Sequence, residues 1–96
     1  MKYYAVFLKM IDPQKSQESR PAHLEYLAKR KGEGKIFAYG RFADGAGGLV
    51  IYIAESEAEV RQLAAEDPYI VNGAREAEIH EWEMMTDAVL PGVSLD

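Results

Sequence analysis

The pattern of apolar segments in this 96-residue chain predicts an α+β domain of the ferredoxin-like βαββαβ type, built on a four-stranded antiparallel sheet. Three observations carry the prediction. Four short apolar stretches alternate with two helical ones in the order strand, helix, strand, strand, helix, strand, which divides the chain into two split βαβ halves. The first and third stretches, Tyr3–Leu8 and Leu49–Ala54, are apolar on both parities, as befits the centre of a sheet with the order 4-1-3-2. The fourth, about Glu76 to Met84, carries Glu78, His80, Glu81 and Glu83 and has the composition of an edge.

Taken in order, Tyr3 to Leu8 is a strand that gives way to a polar loop at Asp12-Pro13. A helix is expected from about Ser19 to Lys31. Pro21 suits its first turn, where a missing N–H has no intrahelical partner, and Ser16 or Ser19 stands upstream as a cap. Gly32 and Gly34 supply the left-handed conformation that ends it, and Lys29, Arg30 and Lys31 suit the negative end of the helix dipole. Lys35 to Phe42 forms the second strand, and Asp44-Gly45-Ala46-Gly47-Gly48 turns the chain back into the third. A phosphate-cradling glycine loop leads into a helix N-terminus, whereas this one leads into a strand. Ser56-Glu57-Ala58-Glu59 is a capping box, and Val60, Leu63 and Ala64 continue the apolar stripe of a second helix. That helix stops before Asp67-Pro68, because proline disfavours helical geometry in the residue preceding it. Tyr69-Ile70-Val71 and the turn Asn72-Gly73 then lead to the last strand, which contains His80 and Trp82. Residues 1–84 thus form the domain, and 85–96, divided by Pro91-Gly92, form a tail that is loose or lies on a partner.

Composition narrows the function. A chain of this length supports one core, and 48% hydrophobic with 28% charged residues is the mixture of a soluble globular protein. A net charge of -5 without a clustered basic face argues against a nucleic-acid partner. The absence of cysteine excludes disulfides, thiolate catalysis and cysteine-ligated metal, and suits a cytoplasmic protein. Two histidines are few for a zinc site, so no metal is expected. Tyr3 to Leu8 is shorter than a signal-peptide core, and no run is long enough to span a bilayer. Two helices cover only one face of the sheet, yet Tyr4, Val6 and Leu8 on one parity and Tyr3, Ala5 and Phe7 on the other are all largely apolar. A second subunit packed sheet to sheet is the simplest cover, with the tail folding back as the alternative.

At 100° per residue Arg20, His23, Leu24, Leu27 and Lys31 fall on one side of the first helix, which turns His23 inward. Two readings stand: a satisfied, half-buried histidine, or a proton-transfer site, since imidazole gives and takes protons near neutrality. Asp67 sits at a sharp helix exit instead of on a solvated face.

With Arg20-Pro21-Ala22-His23-Leu24, Ala38-Tyr39-Gly40 and Asp67-Pro68-Tyr69 in these places, the chain resembles the YciI-like (YCII-related) family of small bacterial proteins over roughly residues 1 to 84. The resemblance implies a dimeric α+β barrel and an active site that pairs His23 with Asp67. It also implies a lyase or isomerase, like the few members that resemble dehydrochlorinases acting on ring compounds. The family often has Gly-Pro at the end of strand two where this chain has Gly40-Arg41, so contacts to substrate differ there. A carboxylate bound to one ring nitrogen fixes the imidazole's tautomer and leaves the other nitrogen to move a proton. Arg20 or Arg41 is placed to hold an anionic substrate, with Tyr39, Gly40 and Tyr69 as walls. His80, on the edge strand, reads as a plain surface histidine. The function expected is acid–base chemistry without a cofactor, elimination or isomerisation, on a small, ring-containing anionic molecule. A small-ligand binding or regulatory module is the alternative, and a heme- or oxygen-using monooxygenase of the same superfamily is a third reading.

Overall fold

The computed structural model describes residues 1–86. Its elements are β1 (Lys2–Met10), α1 (Pro13–Gly32), β2 (Ile36–Arg41), β3 (Gly47–Ala54), α2 (Glu57–Ala65), α3 (Pro68–Val71) and β4 (Arg75–Glu81). The strands pair antiparallel in the order β2-β3-β1-β4, the expected ferredoxin-like arrangement with the first and third strands in the centre. Residues 87–96, and with them the expectation that the tail packs on a partner, lie outside the described residues. No helix among the described residues is long and apolar enough to cross a membrane.

Side-chain parity divides the sheet. Tyr4, Val6 and Leu8 of β1 and Val50 and Tyr52 of β3 point beneath the helices, where they meet Leu27 of α1 and Val60, Leu63 and Ala64 of α2 in one core. Burying a large apolar side chain of this kind contributes about 1.5–3 kcal/mol, so this face holds the monomer together. The opposite parity carries Tyr3, Ala5, Phe7, Leu49 and Ile53, only half-buried. Ile51 is buried between its strand neighbours Ala5 and Ala38 but stands apart from the core cluster. Edge-to-face pairs Tyr3–Phe37 and Phe7–Phe42, with centroids 5.8 and 5.7 Å apart, add aromatic surface.

Helix α1 begins at Pro13, not near Ser19. Asp12 is its N-cap, its carboxylate accepting from the Lys15 N–H at 3.1 Å, and Pro13 takes the first turn. Pro21 therefore lies inside the helix, on its exposed side, and the residue whose carbonyl it fails to serve, Gln17, is exposed as well. Ser16 and Ser19 do not cap; they are buried with His23 and Leu27 on the inner face, their small side chains allowing close approach. Arg20 and Lys31 are exposed and Leu24 is at the edge of exposure, so the inner stripe is narrower downstream and longer upstream than the sequence suggests. Gly34, with φ of 79°, supplies the left-handed residue that ends the helix.

Ser56 caps α2, its Oγ accepting from the Glu59 N–H at 3.3 Å, while the Glu59 carboxylate reaches back to the N–H of Glu55. Residues 68–71 are not an extended lead into the last strand; they form a single helical turn started by Asp67-Pro68, the same Asp-Pro device that starts α1. Strand β3 begins two residues before Leu49, and β4 ends at Glu81, leaving Trp82 just past it with its N–H donating to the Tyr3 carbonyl at 2.7 Å.

Candidate active site

The site grows from the two Asp-Pro starts. At Asp12 the carboxylate caps its helix at the rim, but at Asp67 the same geometry is carried out of solvent altogether, with the residue 0% exposed. One carboxylate oxygen, Oδ1, accepts from the Tyr69 N–H at 2.9 Å, the capping bond of α3. Helix α1 delivers His23 from its inner face, and the imidazole Nδ1 lies 2.8 Å from Oδ1 and 3.0 Å from Oδ2. A carboxylate has no proton to give, so Nδ1 is the donor and carries the hydrogen. Nε2 has no partner among the described residues and is not among the fully buried polar atoms, so the free nitrogen is left accessible.

Tyr69 completes the unit. Its ring stacks on the His23 ring with centroids 3.8 Å apart and planes 18° from parallel, which fixes the imidazole plane. The Arg75 guanidinium lies 4.2 Å from the same ring centre. Two planar groups this close cannot share one side of a ring, so His23 and Arg75 take its two faces. Arg75 Nε donates to Ser16 Oγ at 2.9 Å and Nη1 to the Leu8 carbonyl at 3.3 Å. Burial lowers the pKa of this guanidinium from its ordinary value; Tyr69 and Asp67 act against that shift, and Arg20 adds to it.

A cavity of about 140 Å³ opens between α1 and the β2–β3 end of the sheet, lined by His23 and Tyr69 together with Leu24, Leu27 and Val50. Tyr39 and Arg41 reach it because of a β-bulge. Ile36 pairs with Tyr52, but Ala38 pairs with Ile51, one residue out of step, and every later side chain of β2 is thereby moved to the other face of the sheet. Without the extra residue, Tyr39 and Arg41 would point to the open face. Gly40, between them, lines the cavity through its backbone. Arg20 reaches the cavity from the exposed side of α1. His80 is away from all this, 67% exposed at the side chain and 3.5 Å from the Glu78 carboxylate. No group of three or more histidines and carboxylates placed to hold a metal occurs among the described residues.

The structure thus gathers all seven residues singled out in the sequence, His23, Asp67, Arg20, Tyr39, Gly40, Arg41 and Tyr69, in or directly beside one cavity. It adds Arg75, which no sequence motif marks: it follows the Asn72-Gly73 turn as an ordinary first residue of an edge strand.

A model of the YCII-related domain matches residues 1–83. The chain belongs to the YCII-related family. It is 29% identical over 82 residues to the uncharacterized protein YjpA of Bacillus subtilis (strain 168), a match covering 85% of this chain and 96% of YjpA. Among solved structures it is similar to the 5-chloro-2-hydroxyhydroquinone dehydrochlorinase TftG of Burkholderia phenoliruptrix AC1100 in complex with 2,5-dihydroxybenzoquinone. That likeness has a TM-score of 0.73 at 25% identity and covers 84% of this chain and 93% of the other.

Proposed function

We propose that this YCII-related protein is a homodimeric enzyme whose His23–Asp67 pair carries out acid–base chemistry, elimination or isomerisation, on a small, ring-containing anionic substrate. The observation that carries the reading is the 2.8 Å contact between His23 Nδ1 and the wholly buried Asp67, with Nε2 left free at a cavity. Asp67 holds the hydrogen on Nδ1 and so keeps the lone pair on Nε2, where it accepts a proton from a substrate C–H or O–H. Positive charge then develops on an imidazole that already has a carboxylate against it, and no group has to move to stabilise it. In an elimination the electron pair released pushes out a leaving group from the adjacent carbon, and Nε2 later returns its proton to water. In an isomerisation Nε2 returns the proton to a different carbon of the same molecule. The similar structure of a dehydrochlorinase holding a dihydroxybenzoquinone supports the elimination form and a ring of that size. Tyr39 and Tyr69 wall the ring, and Arg20 and Arg41 hold the charge.

The homodimer is supported by the open sheet face, where the half-buried Tyr3, Phe7 and Ile53 and the exposed Phe42 and Trp82 have no cover among the described residues. Packing two such faces together makes the dimeric α+β barrel. The test is turnover of hydroxylated and chlorinated quinol rings by the purified protein. His23→Ala is expected to lower the rate by about 10² to 10⁴, the usual worth of a general acid or base. Ligand that binds but is never turned over, or full activity in His23→Ala, would place the protein among ligand-binding modules instead.

A further inference from the structure

The cavity beside His23 does not end at Arg20 and Arg41. It continues into a wider one of about 500 Å³ toward the β1–α1 and β2–β3 turns, and Arg20, Arg41, Arg75 and Tyr69 line both. Three arginines therefore line the junction, and Arg20 is near enough to Arg75 to oppose its charge. None of them has a carboxylate within 4.0 Å among the described residues, although the chain carries an excess of acidic residues and its other two arginines, Arg30 and Arg61, are both paired. Arg75 is anchored from behind through Nε and Nη1, and its Nη2 has no protein partner among the described residues.

The glycine-rich turn packs beside these arginines. A Cβ on Gly48 would sit 3.8 Å from both Arg75 Nη1 and the Arg41 Cα, and 3.0 Å from the Gly40 carbonyl oxygen. Gly47, with φ of 140°, lies against the Leu8 backbone, whose carbonyl Arg75 uses as an anchor. Bare backbone at 47 and 48 thus packs directly against the Leu8 and Gly40 backbone beneath the junction. The inner cavity, at about 140 Å³, has room for a single six-membered ring and little else. A charged substituent on such a ring has to lie at the junction.

We propose that the ligand has two parts: a planar ring in the inner cavity beside His23, and an oxyanion group, carboxylate or phosphate, seated among Arg20, Arg41 and Arg75. The proposal rests on the function proposed above only for the side on which the ring reacts; the anion seat rests on the arginines. Guanidinium forks match the planar edges of carboxylate and phosphate, and an anion here relieves the mutual repulsion of three unpaired cations.

Calorimetric titration of the full chain with benzoate, phenyl phosphate, inorganic phosphate and phenol tests it. Benzoate or phenyl phosphate is expected to bind about 10- to 100-fold more tightly than phenol, the worth of one or two charge-assisted hydrogen bonds. The better of the two tells carboxylate from phosphate, and inorganic phosphate alone should bind more weakly than phenyl phosphate for want of the ring. Binding should weaken as salt rises from about 50 to 500 mM. The double variant Arg20→Gln/Arg41→Gln, altered only at exposed side chains, should lose about tenfold for the anion and nothing for phenol. Arg75→Lys, which keeps the charge but not the fork, should weaken the anion while leaving amide shifts in β3 and α2 in place, a control for folding. Phenol bound as tightly as benzoate and phenyl phosphate, anion affinity unchanged in the double variant, or no binding of either anion at about 10 mM would overturn the seat. A failure of the acid–base reading shows in turnover by a wild type that still binds the anions, and a failure of the seat shows in binding.

Discussion

Removing the Asp67 carboxylate is the perturbation that the site geometry constrains most. In Asp67→Ala two hydrogen bonds disappear together: the cap on the Tyr69 N–H at 2.9 Å and the contact to His23 Nδ1 at 2.8 Å. Loss of a helix cap costs about 1 kcal/mol, and a buried N–H left without an acceptor costs about 1–3 kcal/mol, so the whole change is about 2–4 kcal/mol. Neither term is softened by water, since His23 is 6% and Asp67 0% exposed. For a domain of this size each kcal/mol moves the melting temperature by about 4–8 °C, which makes the expected drop roughly 8–32 °C. Asp67→Asn separates the two roles. Its amide oxygen still caps α3, so stability falls by only about 1 kcal/mol, but its NH₂ faces Nδ1 and pushes the imidazole hydrogen to Nε2. The nitrogen-15 spectrum of the imidazole reports which ring nitrogen carries hydrogen, and urea unfolding reports the stabilities. A loss no larger than the cap alone in Asp67→Ala, with the same imidazole tautomer in wild type and Asp67→Asn, would refute the coupling.

Four further outcomes follow from the packing. Ile53→Lys, on the open sheet face, should give a folded monomer in sedimentation equilibrium, whereas Val6→Asp, wholly buried under the helices, should unfold the chain; a wild-type monomer at micromolar concentration would end the dimer reading. Tyr52→Phe removes a buried hydroxyl that has no partner and should raise stability by about 1 kcal/mol in urea, while Tyr26→Phe loses the 2.6 Å bond to the Leu63 carbonyl and should lower it by a similar amount. Burial, helped by Glu66, pushes the Tyr26 phenol from 10.0 to about 12, so the folded chain keeps a proton that the unfolded chain releases. That contribution is complete below pH 10 and gone as pH passes 12, and Tyr26→Phe should flatten the alkaline limb of stability across this window. Gly47→Ala puts a Cβ against the Leu8 carbonyl at a φ of 140° and should cost about 2–5 kcal/mol in thermal melts, against less than about 1 kcal/mol for Gly40→Ala, where the space is open.

The sheet order is legible in the sequence because burial on both sides leaves its mark on every residue: β1 and β3 have no polar parity, and β4 alternates acids with Ala77 and Ile79. The start of α1 is not, for a reason internal to the chain. Two prolines, Pro13 and Pro21, each stand where a first turn is plausible, and Ser16 and Ser19 suit a cap as well as they suit a tight interface. Asp12 is the better cap, and Pro21 survives inside the helix because its side is wet; that depends on which way the helix faces, and local sequence does not say. Asp67 is likewise readable as special from Pro68, but only as an exit. Its second role, as the start of α3, needs Tyr69 to turn back, and one helical turn leaves too few residues for any periodicity to be seen.

The cavity walls show where reading stops and why. Tyr39, Gly40 and Arg41 are consecutive, and in a regular strand consecutive side chains point to opposite faces, so no flat reading of β2 tells which of them enters a site. The bulge between Ile36 and Ala38 decides it by a slip of one residue, and it follows from how β2 meets β3, a relation across the turn that no residue of β2 encodes alone. Arg75 is hidden for the same kind of reason. It becomes part of the site through contacts to Ser16, Leu8 and Tyr69, residues up to 67 positions away in the chain. The His23–Asp67 pair comes from residues whose chemistry is visible one at a time, a histidine on an inward stripe and an aspartate fixed by proline. The proposed anion seat comes from surface-type residues that only the folded chain brings to one cavity. Gly47, which reads as part of a turn, also packs its bare backbone against the Leu8 carbonyl that anchors Arg75, so substitution there would be felt at the arginine cluster as well as in stability.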